Sequence, residues 1–415
     1  MKRRLLPILM TLVLVCALPI WAAFVTSPDV TNPLLTTADA TEPLKLEEVS
    51  TADDLRAKIT AGNSVKLTNN IDIDAVLHVT STLTLDLNGC TLRMTGTGSV
   101  LKVSGRATLT IQDSSAEGTG TITGGNAVDG GGVYVDDYAA LKMTGGCITG
   151  CHASYGGGGI RSSGNLYMSG TAKIEKCTSK WGSDDAIWNR EKCNIYADGG
   201  TVDGTVNNQG TIRRSEGAAA ETVFNGTVYN RSAGTIIAGI YNETVENNGT
   251  ITGGTFWGTV TNKKSAWGNE AGTIRGGTFY GPIVNEVGPG QVTDGTFAVR
   301  FDTGDGTKPE PTLVPWNDKV PRPTSDPEKS GHTFIDWYLG DAPYDFDTPV
   351  NAPLTLTARW KEVPSSGGYY YYQPTTDTKA DDAKGSPKTA DPGVALYGVL
   401  SLLSLTGLTC ATKKR

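Results

Sequence analysis

The chain has 415 residues, enough for two or three domains, with 52 glycines, 19% charged residues and a net charge of −7. No basic stripe runs along it, which excludes a nucleic-acid-binding surface. Thr, Asn, Val and Ile crowd the first 300 positions beside the glycines, a mixture that favours strands and turns over helices.

The first 23 residues place Lys2, Arg3 and Arg4 before an apolar run that closes on Ala22 and Ala23, the build of a secretory signal peptide. Residues 50–59, STADDLRAKI, predict a short amphipathic helix with Leu55 and Ile59 on one face and Thr51 spaced to cap Asp54. After it the pattern changes. In Leu83-Thr84-Leu85-Asp86-Leu87 and Leu109-Thr110-Ile111 every second side chain is apolar, the period of a strand with one buried face.

These strands repeat. GGGVYV at 130–135 answers GGGIRS at 157–162, and Cys151 answers Cys177. ITGGTFWGTVTN at 251–262 answers IRGGTFYGPIVN at 274–285, and Asn207, Asn230, Asn242, Asn262 and Asn285 close short strands. A period of 20 to 27 residues of strand and glycine turn predicts stacked coils whose apolar side chains point inward. The helix at 50–59 then covers one open end. With Phe256 and Phe279 inward, Trp257 and Tyr280 project outward on neighbouring coils, a candidate ligand platform for sugars.

Residues 63–94 and the later GGG and GGTF coils resemble the right-handed parallel β-helix proteins of the pectate-lyase-like superfamily. That resemblance implies an all-β fold, a right-handed parallel β-helix over 45–297 with its capping helix, and it leaves function open among lyases, hydrolases, adhesins and structural spikes. Gly182-Ser183-Asp184-Asp185-Ala186-Ile187 looks like the paired-aspartate motif of polygalacturonases. Its register places Asp185-Ala186 in the slot of Gly158-Gly159 and Gly131-Gly132, a coil corner, and the partner motifs of that family are absent. No catalytic, cofactor-binding or metal residue is assigned. Asp136, Asp137 and Arg161, at turns of adjacent coils, are the nearest approach to a lyase site, and Gly124 to Asp129 gives one imperfect copy of a calcium-binding repeat. Five cysteines remain after the leader and tail, Cys90, Cys147, Cys151, Cys177 and Cys193, and they read as small buried hydrophobes.

Residues 298–361 resemble the internalin-type B repeat, also called the Listeria–Bacteroides repeat, a small β-grasp-like module. Val299 to Asp302, Gly331 to Phe334, Trp337-Tyr338, Tyr344 to Phe346 and Ala358 to Trp360 carry the match. Phe334, Trp337 and Trp360 are its expected core, and Asp336 stands where a glycine usually precedes the Trp. Residues 362–388 read as a flexible stalk.

The last segment, 389–415, holds an apolar run from Val394 to Ala411 and then Lys413, Lys414 and Arg415. With Ser386 to Ala390 before it, the tail resembles a Gram-positive cell-wall sorting signal, in which Pro387, Thr389 and Ala390 stand in the motif. The resemblance implies a sortase and cell-wall peptidoglycan as partners. A plain transmembrane anchor is the alternative, with the membrane as partner of the same segment, and both place the body outside the cell. Without its two ends the chain loses six cations and Asp391, and its charge falls to about −12. The sequence therefore predicts a bacterial cell-surface protein, an adhesin or display rod for glycans or host surface proteins. An extracellular polysaccharide-active enzyme is the alternative.

Overall fold

The computed structural model describes residues 45–180, 182–264, 272–286 and 291–364. The signal peptide and the stalk, sorting motif and anchor at 365–415 lie outside these. Among the described residues no helix is long and apolar enough to cross a membrane.

The coils predicted from the repeats form a parallel β-helix with three faces. The first face stacks Leu83–Asp86, Thr108–Gln112 and Ala140–Met143 in parallel register, and continues to Thr250–Ile251 and Thr273–Phe279. The second stacks Thr91–Met94, Thr121–Thr123 and Cys147–Thr149, then Ile240–Tyr241 and Thr255–Phe256. The third is a ten-stranded sheet from Leu77–Val79 to Ile283–Asn285. A narrow extra sheet of Asn126–Asp129, His152–Gly156, Thr178–Ser179 and Gly182–Ser183 lies between the second and third faces in the middle coils. It is the lengthening of those coils that makes room for a site.

Alternation decides what faces inward. Leu109 and Ile111 are fully buried while Thr108, Thr110 and Gln112 between them are not. On the second face, Phe224, Tyr241, Phe256, Phe279 and Phe297 form an internal aromatic stack, the first four 4.8 to 5.0 Å apart. Each such contact adds about 0.5–1.5 kcal/mol beyond the area buried.

On the third face one of the two inward columns turns polar in the later coils, beside the buried Ile187, Val206, Val228, Val245 and Val260. Asn189, Asn208, Asn230, Asn247 and Asn262 each donate a side-chain amide N–H to the Oδ1 of the next, ending on Asn285, at 2.6 to 2.8 Å. This corrects the asparagine pattern read from sequence. Asn230, Asn262 and Asn285 belong to the ladder, but Asn207 faces outward beside the inward Asn208, and Asn242 bonds Asn225 on an exposed corner. In an Asn-Asn pair the strand alternation sends one amide in and one out, and composition does not say which.

The N-terminal end is covered as expected. The helix Ala52–Ala61 starts at Thr51, whose hydroxyl accepts the Asp54 N–H, and stops at Gly62 with φ +80°. Its Leu55 and Ile59 are buried in the first coils. At the other end the strand Val292–Asp302 pairs with the last coil through its first half and with Leu354–Glu362 through its second. The module therefore grows out of the β-helix without a linker.

The module adds Thr312–Pro315 and His332–Leu339 antiparallel to that pair. Trp337 is buried; Phe334 packs edge to face on it at 5.5 Å, and Trp360 packs in the same way on Phe334 at 5.6 Å. Asp336 marks a bulge between Phe334 and itself, where its carboxylate accepts the Trp337 N–H and the Arg322 guanidinium, both at 2.8 Å. The irregularity thus lies within a strand.

Candidate functional site

Trp257 and Tyr280 leave the second face one residue after the inward phenylalanines. Their N–H groups bond Tyr241 and Phe256 carbonyls at 2.8 Å, which turns both rings to the outside of neighbouring coils. Trp257 is 50% exposed. The two rings stack at 3.9 Å with planes 11° apart. Each therefore spends one face on the other, and a sugar would find the two outer faces and the ring edges. The same device appears on the first face, where Tyr167 and Tyr196 stack at 4.3 Å between Lys142 and Arg213. The column under Trp257 continues as amides, with Asn242 donating to Asn225 and Asn225 to Asp203 at 2.7 and 2.6 Å.

A second arrangement surrounds Asp185. Its strand pairs Ile187 with Ile160, which pairs with Val133, so Asp185 takes the corner that Gly158 and Gly131 occupy on the coils before it. Those glycines have no room for a side chain: a Cβ on Gly158 would lie 2.8 Å from the Asp185 carbonyl oxygen. The coil containing Asp185 escapes because the next one is shorter, and its side chain turns under the extra sheet. Asp184, with φ +79°, makes the turn and is exposed.

Asp185 is 4% exposed. The Gly157 N–H donates to its Oδ2 at 2.9 Å, and its Oδ1 has no hydrogen-bond partner. Burial pushes the carboxyl above the usual carboxylate range, opposed in part by the Ser179 hydroxyl and the Gly157 N–H. Beside it Trp188 stacks on Tyr155 at 5.3 Å and under the Arg161 guanidinium at 5.0 Å. The ring lies flat on Gly156, where an added Cβ would come within 1.9 Å of it. The Trp188 Nε1 is also without a partner. Tyr229 and Arg231, two coils on, complete the wall; the guanidinium sits 4.7 Å over the Tyr229 ring and donates to Asn207 Oδ1 at 2.7 Å. These residues line a groove of about 400 Å³ together with Ser179 and Thr205.

The sequence named Asp185 as a coil corner but gave no sign of the groove. Its walls come from residues 179, 188, 205, 207, 229 and 231, whose spacing follows coils of unequal length. Trp188 and Tyr229 are outward-facing strand aromatics, the one signal available in advance.

Asp136 and Arg161, considered for calcium-assisted chemistry, are engaged in separate ion pairs. Arg161 lies at the centre of a strand, where a turn was expected, and bonds Asp129 at 2.9 Å. Asp136 pairs with Lys102 at 3.7 Å. Asp129, the acid of the imperfect repeat, is thereby engaged as a structural ion pair. Among the described residues no three His, Cys, Asp or Glu side chains gather to hold a metal. His152 shares a 2.8 Å hydrogen bond with Thr178, and the cysteines at 90, 147, 151, 177 and 193 are unpaired thiols, the last three buried.

Residues 297–359 match the Listeria-Bacteroides repeat domain. This points to a bacterial surface or extracellular protein, and the match covers the module alone. No curated protein and no solved structure matches the chain.

Proposed function

We propose that this protein is a bacterial surface rod that binds glycans through the groove on the third face of its β-helix. The observation that carries the reading is the groove lined by Trp188, Tyr229, Arg231 and Asn207, in a chain whose last described module is a Listeria-Bacteroides repeat. Aromatic rings offer apolar faces to pyranose rings, while amide and guanidinium groups at the rim bond their hydroxyls. The β-helix holds these groups on strands, which fixes their spacing before a ligand arrives. Under the same reading the tail is the anchor, with Pro387, Thr389 and Ala390 offered to a sortase for transfer to peptidoglycan, or the apolar run held in the membrane. Host surface glycoproteins are partners of the same chemistry.

An array of glycans and host-surface glycoproteins, probed with the purified protein, tests this. Binding to a defined set of glycans is expected; an array without one bound glycan would remove the reading. A Trp257→Ala, Tyr280→Ala double variant run in parallel assigns or dismisses the stacked pair as a contact point. A polysaccharide-active enzyme is the second reading, favoured by the buried Asp185 carboxyl, which is placed to hold a proton. Glycoside hydrolysis needs a second carboxyl about 5–9.5 Å away. Asp185 is the one carboxyl among the described residues that line the groove. Release of sugar ends from any bound polysaccharide, abolished by Asp185→Asn, would favour the enzyme.

A further inference from the structure

The groove holds two polar atoms that the fold leaves without partners. Asp185 Oδ1 and Trp188 Nε1 are both buried, and neither meets a donor or acceptor. Leaving such groups unpaired is costly, and of five among the described residues these two lie together, with a third, Arg161 Nε, in the guanidinium over the Trp188 ring. An indole N–H only donates, whereas a carboxyl accepts, or donates when protonated. A ligand hydroxyl does both, so it complements either atom in any protonation state.

We infer that the groove is a subsite for one uncharged pyranose unit of an oligosaccharide, read through its hydroxyls by Asp185 and Trp188. The inference rests on the glycan-binding reading above and adds which sugars enter and which residues read them. An uncharged ring is favoured because the one carboxyl among the described lining residues, that of Asp185, is the group that would meet it. Arg161 is paired with Asp129 at 2.9 Å, and Arg231, which donates to Asn207 and stacks on Tyr229, is the cation of the opposite wall. A sugar carboxylate at the orphan atoms would have to enter beside the Asp185 carboxyl. The Tyr229 ring and the guanidinium stacked on it form the opposite wall, of a size to meet the apolar face of one ring. The two orphan atoms lie behind the wall surface, so the Trp188 ring turns off Gly156 as the hydroxyl enters. Binding is therefore reported by that indole.

The experiment titrates the intact protein with maltohexaose, cellohexaose and mannohexaose, and with hexagalacturonate as the charged probe, by calorimetry and by tryptophan fluorescence. One neutral hexasaccharide is expected to bind and shift the emission. Trp188→Phe should abolish the shift and weaken binding at least tenfold, and Asp185→Ala should do the same to affinity. Asp185→Asn, which keeps the shape and offers a donor, should stay within about threefold. Melting curves and circular dichroism confirm that each variant folds. Neutral-sugar binding that survives Asp185→Ala and Trp188→Phe but is lost in Trp257→Ala, Tyr280→Ala overturns the subsite and the groove as the binding place, and moves glycan binding to the stacked pair. Binding of hexagalacturonate alone overturns the choice of an uncharged ring. No binding of any of the four probes overturns the inference, and the glycan array then judges the broader reading independently.

Discussion

Asp185 takes a corner where the coils before it carry glycine, and its carboxyl is buried with one oxygen unpaired. Because burial raises its pKa, the native chain holds this proton to a higher pH than the unfolded chain does. The unfolded state then binds fewer protons, and stability falls as pH rises from the ordinary carboxylate range through the native pKa. Asp185→Asn should therefore be neutral in mild acid and stabilising at pH 8, with a flatter profile of Tm against pH; an unchanged profile would contradict the assignment. Gly156 is a sharper constraint. Its place against the Trp188 ring means that Gly156→Ala displaces the indole, at a cost of about 1–3 kcal/mol, visible as altered tryptophan emission. The asparagine ladder makes the complementary case for satisfied groups. Asn230→Leu removes a donor from Asn247 and an acceptor from Asn208, and should cost about 1–3 kcal/mol for each partner left unpaired, measured by denaturant unfolding.

At the scale of elements, the sequence reads well wherever one rule applies along a whole strand. Alternation predicted the inward Leu109 and Ile111, the repeat register the Val133, Ile160 and Ile187 column, and helical spacing the covering role of Leu55 and Ile59. It also predicted the opposed directions of Phe256 and Trp257, though the stack of Trp257 on Tyr280 depends on side-chain rotation that no pattern encodes. The asparagines show the limit, because two adjacent identical residues satisfy alternation in either phase. The groove was illegible for a different reason. It needs the extra sheet and coils of unequal length to bring Ser179 and Arg231 together, and neither is a local property. The strand Val292–Asp302 is likewise invisible as a shared element, since the repeat pattern stops where the module pattern begins. Sharing it couples the two parts. Trp337→Ala should cost about 3–5 kcal/mol in the module and raise hydrogen exchange in Thr273–Phe279 as well. Exchange confined to 312–362 would mean that the module unfolds alone.

In the whole molecule a β-helix and a Listeria-Bacteroides repeat module share a strand, and the sequence beyond them carries an apolar run and a basic end. Truncation after residue 385 should release the protein into the medium, and a truncated chain that stays on the cells would remove the tail from the account. The central claim, however, is that the third face binds a glycan in the groove at Asp185. Hydrogen–deuterium exchange, with and without the best ligand from the glycan array, tests it most directly because it locates the contact. The account predicts slowed exchange in Asp185–Asn189, Thr205–Asn208 and Val228–Asn230, with Thr255–Phe256 and Thr273–Phe279 unchanged. Protection centred on Trp257 and Tyr280, or none at Asp185–Asn189, would contradict it.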